Sequence, residues 1–102
     1  MKDLERLAKD DFDPRVGDAF ELDLGGDQTL PLELVSADPL SSGTLERGTR
    51  APFSLIFRSA GERRHAPQRV YTVRHAELGA MEIFLVPIGA DEGGMRYEAV
   101  FT

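Results

Sequence analysis

From Ala19 to Phe101, apolar and polar residues alternate with a period of two in one short segment after another. That period is the pleat of a half-buried β-strand, whereas a helix repeats its apolar positions every three to four residues. Residues 19–24 put Phe20, Leu22 and Leu24 on one face and Glu21 and Asp23 on the other. Gly25-Gly26-Asp27 is a turn, and residues 29–35 resume the alternation with Leu30, Leu32 and Leu34. Pro31 has no amide proton to give to a ladder, so this strand lies at an edge or enters its sheet late. Residues 53–59 present Phe53, Leu55 and Phe57 inward, and residues 69–75 present Tyr71 and Val73. Residues 81–88 are apolar on both faces, as in a central strand, and residues 95–101 form the last strand.

Sequence neighbours tend to pair, which yields two expected hairpins. In the first, Phe57 meets Tyr71, Leu55 meets Val73 and Phe53 meets His75. In the second, Ile88 meets Met95 and Val86 meets Tyr97, which places Phe84, Val86, Ile88, Met95, Tyr97 and Phe101 in the core. Six strands with turn signals between them predict an all-β fold. The expected form is a small antiparallel six-stranded barrel or sandwich with a short N-terminal helix. In that helix, Leu4, Leu7, Ala8 and Phe12 share a face behind an Asp3 N-cap, and Asp13-Pro14 and Gly17 stop it. It is too short to stand alone, so it plugs one end of the sheet. The expected organisation is a single domain over 1–102, with residues 1–17 as a helical cap and 18–102 as the β-domain. Residues 38–52 and 60–68 are expected as loops, the first long enough to be functional or disordered.

Composition removes several functions. The 102 residues contain no cysteine, which excludes disulfides, thiolate metal sites and a cysteine nucleophile. No apolar run reaches the ~20 residues of a membrane helix. The opening Met-Lys-Asp-Leu-Glu-Arg is too charged for an export signal, so a cytoplasmic protein is expected. The net charge of −6 argues against nucleic-acid binding. The charge is uneven: residues 1–27 carry nine acids and four bases (−5), whereas residues 61–80 carry four arginines and two acids (+2).

No catalytic set emerges. His65 and His75 lack the H-E-x-x-H spacing of a metal site, so no metal and no cofactor is expected. His75 and Glu77 with Glu82 or Asp91 could in principle supply ligands, and the simpler role for His75 is to end a strand and bond a neighbouring loop backbone. Ser41, Ser42, Ser54 and Ser59 sit in no nucleophile elbow. The pairs Asp10-Asp11 and Asp91-Glu92 fall in polar connections, and Gly25-Gly26 and Gly93-Gly94 precede no helix that could hold a phosphate. The arginines are more telling. Arg58 and Arg74 should leave the outer face of the first hairpin, with Arg63, Arg64, His65 and Arg69 in its loop. Together these six make a candidate basic surface for a protein partner or an acidic neighbour in a homo-oligomer.

The run Ala-Pro-Phe-Ser-Leu-Ile-Phe-Arg (51–58), Leu78-Gly79, Phe-Leu-Val-Pro-Ile-Gly (84–89) and Tyr-Glu-Ala-Val-Phe (97–101) resembles a family of small bacterial proteins of about 100 residues, a domain of unknown function. Asp11-Phe12 and Val16-Gly17 ahead of the first strand add to the likeness. The resemblance implies an association with phage-tail-like proteins and an assembly role, and it carries over no catalytic residue. The resulting expectation is a non-enzymatic structural or adaptor module that binds other proteins. A small barrel holding a small ligand is the second reading, and a hydrolase-type enzyme with His75 as general base is the third.

Overall fold

The computed structural model describes residues 9–39, 52–60 and 67–101. Asp3, Leu4, Leu7 and Ala8, most of the 38–52 connection and residues 61–66 lie outside the described residues. A helical turn α1 (Lys9–Phe12) runs into a 3-10 turn (Asp13–Arg15) that contains Pro14, and Gly17 at φ +95° turns the chain into the sheet. The strands are β1 (Ala19–Gly25), β2 (Gln28–Pro39), β3 (Phe53–Ala60), β4 (Arg69–His75), β5 (Gly79–Asp91) and β6 (Gly94–Phe101). All pairings are antiparallel, and the order β1-β2-β3-β6-β5-β4 closes into a barrel as β4 returns to β1.

The expected hairpin between β3 and β4 does not form. β3 lies between β2 and β6, and Phe57 stands opposite Leu34 and Tyr97, not Tyr71. β4 instead pairs with β1 and β5. Most inward positions on these strands are apolar, so matching apolar faces allowed the wrong partners as readily as the right ones.

The face of β5 is also opposite to expectation. The turn Ala76–Gly79 pairs His75 with Gly79, Val73 with Met81 and Tyr71 with Ile83, so odd-numbered residues of both strands point inward. Met81, Ile83 and Leu85 are therefore buried, while Phe84 is 47% and Ile88 38% exposed. A bulge between Pro87 and Gly89 then sets Pro87, not Val86, opposite Tyr97 and Ala90 opposite Met95. β2 is longer than expected, because a bulge between Leu34 and Ser36 lets it bend and continue to Pro39. Pro31 sits in the interior of a closed sheet but pairs only with Glu21 of β1, since the ladder to β3 begins at Glu33.

The barrel is filled. Phe20, Leu22, Leu32, Leu55, Phe57, Tyr97 and their neighbours are each 6% exposed or less. At the end where β3 begins and β6 finishes, Phe53 and Phe101 stack with ring centres 4.7 Å apart. Phe12 of α1 packs on both at 5.8 Å and is fully buried, which makes the helical turn a plug. Two backbone bonds latch the plug to β2, from Gly17 N–H to Leu34 O (2.7 Å) and from Leu34 N–H to Asp18 O (3.1 Å).

This arrangement separates two phenylalanines that look alike in the sequence. Phe12→Ala should destabilise the protein by about 3 kcal/mol, since it leaves a cavity between two rings. Phe84→Ser should change stability by no more than about 0.5 kcal/mol. Urea denaturation of the full chain measures both.

Candidate functional site

The barrel closes on its shortest ladder. Only Glu21↔Arg74, Leu22↔Val73 and Asp23↔Thr72 join β1 to β4. On either side of these three rungs the strands part, and each gap is a groove on the outer surface. The groove nearer the plug, about 550 Å3, runs over Ala19, Phe20, Thr29, Pro31 and His75. The other, about 240 Å3, is lined by Asp23, Leu24, Gly25, Arg69, Val70, Tyr71 and Thr72.

His75 forms the buried floor of the larger groove, with its ring 4.5 Å from that of Phe20. Its Nδ1 accepts the backbone N–H groups of Glu77 (3.0 Å) and Leu78 (3.2 Å). Two donors on Nδ1 assign the ring proton to Nε2, which donates to Asp18 Oδ2 at 2.8 Å. Both nitrogens are thus committed: the ring locks the β4–β5 turn and ties it to the chain entering β1. Strand-end backbone bonding for His75 is what its position suggested, but Asp18, 57 residues away, had no signal in the sequence.

Asp18, His75 and Glu77 bring ligand atoms within 4.8 Å of one another, while Glu82 and Asp91 are not part of this group. A cation at Nε2 would need that nitrogen's lone pair, yet the lone pair on Nδ1 is already used by two amides. The ring would have to become an imidazolate, so the chemistry fits a hydrogen-bonded turn better than a metal centre. Glu77 is also drawn to Arg15 at 3.7 Å.

Of the residues expected on one basic face, Arg58 lies on β3 and Arg69 and Arg74 on β4, strands that do not pair. Arg58 on β3 bonds Glu33 across the β2 ladder at 3.0 Å and Asp91 at 3.2 Å. Arg74 on β4 bonds Asp23 at 2.9 Å and Glu21 at 3.5 Å across the closing seam. Hydrogen bonds donated by Arg58 to Glu33 and Asp91, and by Arg74 to Asp23, raise both guanidinium pKa values. Gly93 makes room for one of them: a Cβ there would lie 2.8 Å from Arg58 Nε. Arg69 is exposed at the barrel rim, with its guanidinium 5.4 Å from the Tyr71 ring centre. Arg63, Arg64 and His65 lie outside the described residues.

A different surface was missed. Val70 pairs with Phe84 across β4 and β5. The β5–β6 register, carried two residues past Val86↔Glu98, sets Val100 beside Phe84. These three side chains are 54%, 47% and 52% exposed and form an apolar row on the outer face of three adjacent strands. The available signal was the apolar character of both faces of residues 81–88.

The fold thus defines a filled, closed antiparallel barrel with six strands, a helical plug and its distinctive chemistry on the outside. Residues 7–101 match the family described as a domain of unknown function, DUF6916, and the chain belongs to that family. No curated protein and no solved structure matches the sequence. Among the described residues no helix is long and apolar enough to cross a membrane.

Two outcomes test this geometry. His75→Leu should cost roughly 1–3 kcal/mol in a denaturant titration, because it strands the amides of Glu77 and Leu78. Asp18→Asn, which keeps an acceptor for Nε2, should cost less. The second outcome concerns pH. The Gly25 amide and Arg74 hold Asp23 below its ordinary 3.8. At Asp91 partial burial pushes the pKa up, but the amides of Gly93 and Gly94 and Arg58 outweigh it, so the net shift is downward. Carboxylates with lowered folded-state values stabilise the fold above their unfolded pKa and lose that contribution as the pH falls through the folded value. Stability measured from pH 6 downward should hold until about pH 4 and then decline, and Asp23→Asn should flatten the decline.

Proposed function

We propose that the protein is a non-enzymatic structural or adaptor module that binds another protein through its outer surface, in a phage-tail-like assembly as its sequence resemblance implies. The observation that carries this reading is the exposed apolar row Val70, Phe84 and Val100. Single exposed apolar residues are ordinary, but a contiguous row on a regular sheet face is the mark of an interaction surface. Arg69, exposed beside this row, and the loop residues Arg63, Arg64 and His65 are proposed as an accessory basic contact. Arg58 and Arg74 enter the proposal less directly, since each is already bonded to two carboxylates of its own chain.

The other readings find less support. A ligand inside the barrel would compete with side chains that already fill it, and both described grooves lie on the outer surface. A hydrolase with His75 as general base would need a free ring nitrogen, and both are bonded.

Co-purification of the tagged full chain from its native host tests the proposal. A stoichiometric protein partner that Phe84→Ser weakens by ~10-fold or more is the expected result. Equal recovery with the two proteins, or no partner with either, would contradict it. Charge reversal at Arg63 and Arg64 should weaken the same complex at low salt, and unchanged binding would remove the basic contact from the proposal.

A further inference from the structure

We infer that the outer face of β4, β5 and β6 receives a partner segment presenting apolar side chains flanked by lysine or arginine. This rests on the adaptor reading and names the chemistry of its partner. Two carboxylates bracket the apolar row. Glu82 precedes Phe84 by two residues on β5, and Glu98 precedes Val100 by two on β6, so each shares the face of its neighbour. Glu82 is exposed, whereas Glu98 is half-buried between Val86 of β5 and Ile56 of β3. Neither has a hydrogen-bond or ion-pair partner among the described residues.

Among the described residues, the outward arginines Arg58, Arg74 and Arg96 of β3, β4 and β6 are each drawn to carboxylates other than Glu82 and Glu98, and Arg69 at the start of β4 lies against the Tyr71 ring. Arg58 is held by Glu33 and Asp91, Arg74 by Glu21 and Asp23, and Arg96 approaches Asp91 at 4.0 Å. A carboxylate partly withdrawn from water among Val86, Ile56 and Val100, with no counter-charge among the described residues, is an incomplete contact, and an incoming cation completes it. A second copy of the chain would bring the same two carboxylates to this face, so like charges oppose self-association. The net charge of −6 opposes it further and attracts a basic segment.

The test uses the full chain, 15N-labelled, titrated with a short synthetic peptide of alternating Lys and Leu and with its Glu–Leu counterpart. Backbone shifts should move at Val70, Glu82, Phe84, Glu98 and Val100 with the Lys–Leu peptide and not with the Glu–Leu peptide. Phe84→Ser, which leaves the charge unchanged, should weaken the response by ~10-fold, which separates docking from diffuse attraction to an acidic protein. The double variant Glu82→Lys, Glu98→Lys should reverse the preference. Shifts spread over other acidic surfaces, a response undiminished by Phe84→Ser, or concentration-dependent shifts of this face without peptide would overturn the inference. The adaptor reading fails separately, by co-purification: a partner that depends on Phe84 but presents an acidic surface sinks this inference and leaves that reading in place.

Discussion

Everything in this fold depends on the three rungs that join β1 to β4. Without them the chain is an open six-stranded sheet with two long edges and an apolar face in water. With them both edges vanish and the apolar face becomes an enclosed core. Three rungs make a short seam, and the chain reinforces it with polar chemistry. Arg74 reaches back to Glu21 and Asp23, and His75 ties the next turn to Asp18. The grooves exist because the ladder is short: where β1 and β4 part, the surface opens on both sides of the rungs.

Closure also determines where chemistry can occur. Aromatic and aliphatic side chains fill the interior, and Phe12 seals one end against Phe53 and Phe101. A barrel packed in this way offers its outer surface. Much of that surface is internally satisfied, with Arg58 and Arg74 each shared between two acids of the same chain. The face formed by β4, β5 and β6 differs, since it combines exposed apolar side chains with two carboxylates, Glu82 and Glu98, that have no counter-charge among the described residues. That contrast between paired and unpaired outer faces is what directs the functional proposal.

The strands themselves were legible in the sequence because a period of two with polar residues between apolar ones admits one reading, as in residues 19–24. It failed at residues 81–88, where Met81, Ile83 and Leu85 compete with Phe84, Val86 and Ile88 for the interior. Parity there is decided by the turn that pairs His75 with Gly79, which is a tertiary fact. Strand order was not legible either. The next strand in sequence, β4, was the natural hairpin partner for β3, yet β3 pairs with β2 and β6. On separated strands, Arg58 and Arg74 meet acids 25 and 53 residues distant. His75 could be placed at a strand end from sequence, but its bond to Asp18 could not, because the two meet only when the barrel closes.

The most direct test of this account is the pattern of cross-strand NOEs between β1 and β4 in the full-length protein. Contacts linking Leu22 to Val73 and Glu21 to Arg74, with slowly exchanging amides in residues 21–23 and 72–74, are predicted. Absence of these contacts, with rapid exchange in both segments while β5 and β6 remain protected, would show an open sheet. It would contradict both the closed barrel and the assignment of function to its outer face.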